Sequence, residues 1–515
     1  MLQQLAAQDA QFLYMQTPNN LTHVMGVNIY DQSTAPGGKV RLKDIIEYVR
    51  ERQDHSPLFK RKLFRLPFDV DHPYWVEDEH FDVEAHISHC ALPEPRDWRQ
   101  FCIQIARLHS KPMDMNRPLW DMTVIEGLDR IKGFKKGSYA IANRIHHAAI
   151  DGASGAQFFL AMSDIDAKGT PAVSDPKTDW DIGDVPKPAD YMQRAINSTA
   201  TSPVKMINAL MKFAPTLVDA AQKSISSGEE KQKDAGMPDT RFNAAVSPHK
   251  MFDAITFDLE DFKAIRKKIE GATINDVVLA TVGGALRKYL TRHKELPKQS
   301  LVGWVPVNAR AKNGEDQSPG NNISAMTVGI GSDIADPLKR LEAVRDVTRE
   351  SKAAKSGLSA RLMTDLTQHI PGATMAGVAR IMTSERFAPK MSNVFISNVP
   401  GPQFPLYMNG AKCTHQYALA PLANGMGLFI ATPSYNGQMS FNVTSDRKIM
   451  PDIEFFIECI EKAFTELRVA KPNRAVKKAS AKAKTAEKAA KPQPMGSNYR
   501  RVSKTPRRPS QGKTK

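Results

Sequence analysis

Cysteine is scarce in this chain: Cys90, Cys102, Cys413 and Cys459 are the four in 515 residues, and no two of them make a CxxC pair. Thiols so few and so scattered exclude a disulfide scaffold and a cysteine-built zinc finger. They suit a reducing compartment, where cysteine packs as a small apolar side chain. Long apolar runs are missing as well. The longest uncharged stretch, residues 413–445, is interrupted by Pro421, Asn424, Gly425, Gly427, Pro433, Asn436 and Gly437, which is a pattern of strands and turns and not of a lipid-spanning helix. The opening MLQQLAAQDAQFL carries Asp9 and has no basic region ahead of an apolar stretch, so no signal peptide is expected. No G-x-S-x-G nucleophile elbow and no short internal repeat occurs.

The body of the protein is also short of net charge. The whole chain carries +16, but residues 471–515 hold fifteen Lys/Arg and one acidic residue, Glu487, which is +14 and leaves +2 for the first 470. The basicity therefore belongs to a tail. That tail, which opens KPNRAVKKASAKAKTAEKAAKP and runs to Lys515, has few bulky apolar residues to offset the entropy of folding, and it is expected to be disordered.

Apolar residues make up 41% and charged residues 24%, a globular composition, and 515 residues exceed what one core usually sustains. The expected division is a first domain over 1–184, a helical linker over 185–239, a second domain over 240–470 and the tail over 471–515. Within the first domain QQLAAQDAQFLYM and LKDIIEYVRERQDH have helical spacing, whereas THVMGVNIY and Tyr139–His146 read as strands. In the linker Val204, Ile207, Leu210, Met211, Leu217 and Val218 recur at helical spacing around a break at Pro215. The second domain mixes helices such as DLEDFKAIRKKIE with β-rich segments such as KMSNVFISNV.

The sharpest local feature is IHHAAIDG, which sets His146, His147, Asp151 and Gly152 at the end of a strand, before an Asp-Gly turn and the helical run GAQFFLAMSDI. Histidine is suited to removing a hydroxyl proton near neutral pH. Taken alone, the pair fits equally well two packing histidines beside an ordinary turn. No third and fourth ligand stands nearby to make a metal site, and none is expected.

HHAAIDG matches the HHxxxDG signature of the bacterial wax ester synthase/diacylglycerol acyltransferase family, within the wider group of CoA-dependent acyltransferases with an HxxxD centre. PLW at Pro118, Leu119 and Trp120, NDVVLA from Asn275, PVNAR ending at Arg310, and SNVPGP over 397–402 resemble the family in the same order, and the likeness spans about residues 5–465. The resemblance implies an α/β (α+β) fold of two chloramphenicol-acetyltransferase-like domains, each a mixed sheet flanked by helices, with a channel between them. It implies transfer of a long-chain acyl group from acyl-CoA to a fatty alcohol or diacylglycerol, with no tightly bound cofactor and no acyl-enzyme. His147 would be the general base. Asp151 would pair with an arginine, for which Arg310 is the candidate, and would hold the loop, while Gly152 allows a tight turn. His146 stands between direct participation and packing. Asn275 is the candidate donor to the tetrahedral oxyanion, and Asp276 is expected to cap the helix after it. Pro118, Leu119 and Trp120 are expected to anchor the core. His249 departs from the family, where many relatives carry Arg.

Other functions stay open on these residues: an acyltransferase for a smaller alcohol, or a silent protein coating lipid particles. The tail resembles the Lys/Ala-rich tails of histone-like DNA-binding proteins and is able to bind nucleic acid through phosphates. Nucleic-acid binding would not explain the near-neutral body, and the tail is expected instead to make peripheral contact with an anionic inner membrane or lipid inclusions, from a cytoplasmic location.

Overall fold

The computed structural model describes residues 3–69, 71–150, 154–173, 237–308, 323–354, 372–384 and 390–471. Asp151, Gly152, Arg310, the linker helix and the tail beyond 471 lie outside the described residues. The first half runs β1 (Gln3–Gln4), α1 (Ala7–Tyr14), β2 (His23–Asp31), α2 (Leu42–Arg52), β3 (Arg61–Phe64), β4 (Tyr74–Glu77), β5 (Ile87–Ala91), α3 (Trp98–His109), β6 (Trp120–Glu126), β7 (Tyr139–His146) and α4 (Ser154–Ala161). The second runs β8 (Lys250–Asp258), α5 (Leu259–Arg266), α6 (Ile274–Arg292), β9 (Val302–Asn308), β10 (Ile323–Gly329), α7 (Pro337–Ala354), α8 (Gly372–Met382), β11 (Val394–Pro400), β12 (Tyr407–Met408), β13 (Ala411–Leu419), β14 (Leu428–Tyr435), β15 (Gln438–Asp446) and α9 (Ile453–Val469).

Two six-stranded mixed sheets organise these elements, in the orders β12-β13-β2-β7-β6-β5 and β10-β9-β11-β14-β15-β8, beside a small β1-β4-β3 sheet. In the first, β5 and β6 are parallel and their neighbours antiparallel; in the second, β11 runs parallel to both β9 and β14. Strand β7 is buried at all eight positions, because it is central and both of its faces are covered.

The sheets are not drawn from separate halves of the chain. Strand β13 comes after residue 240 yet pairs with β2, from Lys412 opposite Asp31 to Leu419 opposite Met25, with a bulge between Cys413 and His415. Residues 407–419 thus complete the sheet that carries the histidine motif.

The second sheet packs on α6, which is buried almost without interruption from Asp276 to Leu290, as an all-round apolar helix must be. Glycines make the close packing possible there. A Cβ at Gly283 would overlap the Ile330 carbonyl, and one at Gly284 would come within 2.6 Å of the Arg340 guanidinium. The helix begins at Ile274, and its cap is Thr273, not Asp276. The Thr273 side chain accepts from Asp276 N, and the Asp276 carboxylate accepts from Thr273 N at 2.8 Å. Thr348 of α7 donates to the other Asp276 oxygen at 2.7 Å, so this acid joins two helices as well as closing a capping box.

Candidate active site

Strand β7 delivers the two histidines to a 3₁₀ turn, His147–Ala149, where the ladder ends. The turn is held by backbone bonds from three places: His146 N donates to Leu119 O at 3.0 Å, His147 N to Thr22 O at 2.9 Å, and Ile150 N to His147 O at 3.3 Å. Helix α1 packs over this turn.

His146 is fully buried and both ring nitrogens are engaged. Its Nδ1 accepts from Ala148 N at 3.1 Å, which places the ring proton on Nε2. That N–H faces Gln16 Oε1 at 2.9 Å and Thr22 Oγ1 at 3.0 Å, while the Thr22 hydroxyl donates to Phe12 O at 2.8 Å. Burial first, then His23 and His147, push its pKa down to about 3. Through these bonds His146 ties the segment after α1 to the backbone of the turn.

His147 is placed differently. Its ring is half-buried and stacks on Phe12, with centroids 3.8 Å apart and planes 16° from parallel. No described side chain occupies Nε2. Nδ1 is buried and has no hydrogen-bond partner among the described residues. Burial lowers the pKa to about 4. The ring is therefore neutral at pH 7, the protonation state that a base for a hydroxyl requires.

The surroundings make this turn rigid. Arg144, two residues before His146, donates two hydrogen bonds to the Asp121 carboxylate at 2.9 and 2.6 Å and donates to the carbonyls of Leu108 and Lys111 at 2.8 and 2.6 Å. His23, opposite His146 in the ladder, and His109 face each other, each ring nitrogen Nε2 reaching the other's carbonyl, at 2.9 and 3.3 Å. From the second half of the chain, Lys250 is buried and donates to Asn19 O at 2.9 Å and Ser247 O at 2.7 Å, pinning the loop that leads to Thr22.

Pro118, Leu119 and Trp120 are buried. Beyond the Leu119 carbonyl that holds His146, Trp120 donates from its indole to Phe59 O at 3.0 Å and stacks on His86 at 4.6 Å. Asn275 is half-buried in the first turn of α6, and among the described residues its side chain has no hydrogen-bond partner and no contact links it to His147. His249 is exposed in the turn before β8. The thiols are poor nucleophiles: Cys102, Cys413 and Cys459 are buried, and burial raises the latter two to about 12 and about 11. Sequence pattern alone does not mark Phe12, Gln16, Thr22, Arg144 or Lys250. The helical stretch QQLAAQDAQFLYM contains Phe12 without singling it out.

Comparison with known proteins adds an independent line. The model of the wax ester synthase/diacylglycerol acyltransferase catalytic domain matches residues 5–278, and that of the WS/DGAT C-terminal domain matches residues 319–468. A protein of Mycobacterium tuberculosis named as a diacylglycerol O-acyltransferase is 31% identical over 479 residues, 90% of each chain. O-acyltransferase WSD of Acinetobacter baylyi is 28% identical over 88% of this chain and 94% of its own. Among solved structures, a wax ester synthase/diacylglycerol acyltransferase from Marinobacter aquaeolei VT8 superposes with a TM-score of 0.62 at 24% identity, over 90% of this chain and 99% of that one. The first condensation domain of the calcium-dependent antibiotic synthetase shares the fold at a TM-score of 0.51 and 14% identity, over 92% and 98%.

Proposed function

Because the chain belongs to the wax ester synthase/diacylglycerol acyltransferase family, we propose that it is an O-acyltransferase that moves a long-chain acyl group from acyl-CoA to a fatty alcohol or diacylglycerol with His147 as general base. The observation that carries the choice of base is the contrast between the two motif histidines. His146 spends both nitrogens on Ala148, Gln16 and Thr22, whereas among the described residues no side chain takes Nε2 of His147, whose ring stacks on Phe12.

In this reading Nε2 takes the proton of the acceptor hydroxyl as its oxygen attacks the thioester carbonyl. The tetrahedral intermediate then collapses with cleavage of the C–S bond, and the imidazolium returns its proton to the departing thiolate. No bound cofactor is needed, since each bond made and broken lies in the two substrates. Asn275, whose amide has no partner among the described residues, is the side chain proposed for the oxyanion, where a preorganised donor stabilises the developing charge. Asp151 is proposed to pair with Arg310 and hold the loop after the turn, with Gly152 giving that loop its tight bend.

The lipid character of the substrates suits a peripheral enzyme. No described helix is long and apolar enough to cross a membrane. The +14 of residues 471–515 is proposed to bring the enzyme to anionic membranes or lipid inclusions, each basic residue near such a surface contributing up to about 1 kcal/mol. Flotation of vesicles with and without anionic lipid, using the intact chain and one ending at Ala470, distinguishes this from attachment through the body.

The substrate assignment is tested by measuring CoA release with palmitoyl-CoA or acetyl-CoA against hexadecanol, diacylglycerol and short alcohols. The expected result is turnover with palmitoyl-CoA and a lipid alcohol. Turnover with short alcohols alone would reassign the acceptor, and no release with any pair would leave a lipid-binding coat protein.

A further inference from the structure

A cavity of about 310 Å³ opens between α1 and α8, and one of its walls is Gln16, the residue that accepts from His146. Around it stand Thr17, Arg65, Arg380, Asp69 and Thr383, the last with its hydroxyl donating to Ala379 O at 2.8 Å. The walls are built in. Gly372 begins α8 so close to the backbone of Asp69 and Asp71 that a Cβ there would meet Asp69 O at 2.8 Å, and Asp69 itself takes a left-handed φ of 50°. That approach fixes α8, and with it Arg380, across from α1.

The charges in this cavity do not cancel. Arg65 uses one nitrogen on Asp69 at 2.8 Å, which neutralises the carboxylate, while Arg380 has no carboxylate partner among the described residues. Two guanidiniums against one acid, in a polar recess of a body that is otherwise almost neutral, make a place for an anion with flat or tetrahedral oxygens. Gln16 forms part of both the recess and the histidine network, so the recess adjoins that network.

On the acyl-transfer reading above, we infer that this recess binds a phosphate of the acyl donor, with Arg380 as its principal ligand and Arg65 and Thr17 beside it. A phosphorylated lipid headgroup presents the same chemistry, so the test must separate the two sources.

Binding of adenosine 3′,5′-bisphosphate, the phosphate-bearing end of CoA, is measured calorimetrically with the full chain, alongside KM for palmitoyl-CoA and for S-palmitoyl-pantetheine, which carries no phosphate. Arg380→Ala is expected to weaken the bisphosphate and raise KM for palmitoyl-CoA by about tenfold, the loss of one charge-assisted hydrogen bond. It is expected to leave kcat and the KM for S-palmitoyl-pantetheine unchanged, and Arg380→Lys is expected to restore most of the bisphosphate affinity. Equal effects on both thioesters, or no effect on either, would overturn the inference while leaving acyl transfer intact. Displacement of the bisphosphate by phosphatidate micelles with no change on Arg380→Ala would overturn it too. Bisphosphate binding that depends on Arg380, in a chain that transfers no acyl group, would support the recess and refute the activity.

Discussion

Phe12 lies flat against His147, ring centroids 3.8 Å apart, so the first helix of the chain sets the orientation of a side chain 135 positions later. The stack excludes water from one face of the imidazole and fixes its rotation, which contributes both to the lowered pKa of about 4 and to the aim of Nε2.

Phe12→Ala is therefore expected to lower kcat about tenfold and to move the His147 pKa from about 4 toward the ordinary 6.5 as water reaches the ring. The acid limb of the pH–rate profile would rise with it. NMR titration of the His147 ring alongside that profile reads both effects. A variant with full activity and an unmoved titration would show that the stack is incidental.

His146 should behave as a structural residue. His146→Ala removes a fully buried side chain with three hydrogen-bonding partners, and a loss of about 3 kcal/mol in unfolding free energy is expected. Gln16→Leu, which leaves Thr22 in place, should cost about 1 kcal/mol and only a few-fold in kcat. Urea denaturation and initial rates, measured on the same preparations, check the division. Unchanged stability with complete loss of turnover in His146→Ala would return that histidine to the chemistry.

Acid should destabilise the fold well before the carboxylates are protonated. His23 and His146 are buried neutral with pKa values of about 4 and about 3, and burial holds His109 far below its usual value too. Between about pH 6.5 and 4 the unfolded chain binds protons that the folded one refuses. The stability these residues contribute is complete above 6.5 and is lost as the pH falls toward their folded values. At pH 5 the loss is on the order of 2 kcal/mol per histidine. Denaturation midpoints at pH 7.5, 6 and 5 measure it, and a flat profile across that range would contradict the buried neutral state.

Much of the local architecture was legible in the sequence. The strand Tyr139–His146, the helix Leu42–Arg52 and the strand His23–Asp31 follow their hydrophobic periods, and the motif marks the end of the first of these. The start of α6 was open to a closer reading, because Thr273-x-x-Asp276 is itself a capping-box pattern, and the helix begins before Asp276 for that reason. What periodicity could not carry were the long-range pairings. The placement of β13 beside β2, the reach of Lys250 to Asn19 and the stack of Phe12 on His147 join residues far apart in the chain, and each depends on which surfaces meet after folding. The different fates of His146 and His147 have the same origin. They are adjacent and chemically identical in sequence, and only the alternation of the strand and the position of α1 make one a brace and the other accessible.

Asp151→Ala is expected to act through the loop. If the acid pairs with Arg310, its removal leaves a guanidinium without a partner, and reduced turnover should come with a lower thermal midpoint. Asp151→Asn should recover part of the midpoint. Complete loss of turnover with unchanged melting would place Asp151 in the chemistry instead.

The most direct measurement is the rate of CoA release by His147→Ala with saturating palmitoyl-CoA and hexadecanol, after circular dichroism and calorimetry confirm that the variant folds. General-base catalysis contributes roughly 10²–10⁴-fold, so a fall of at least a hundredfold is expected, with acyl-CoA binding retained. A folded variant that keeps more than a tenth of the wild-type turnover would contradict His147 as the base.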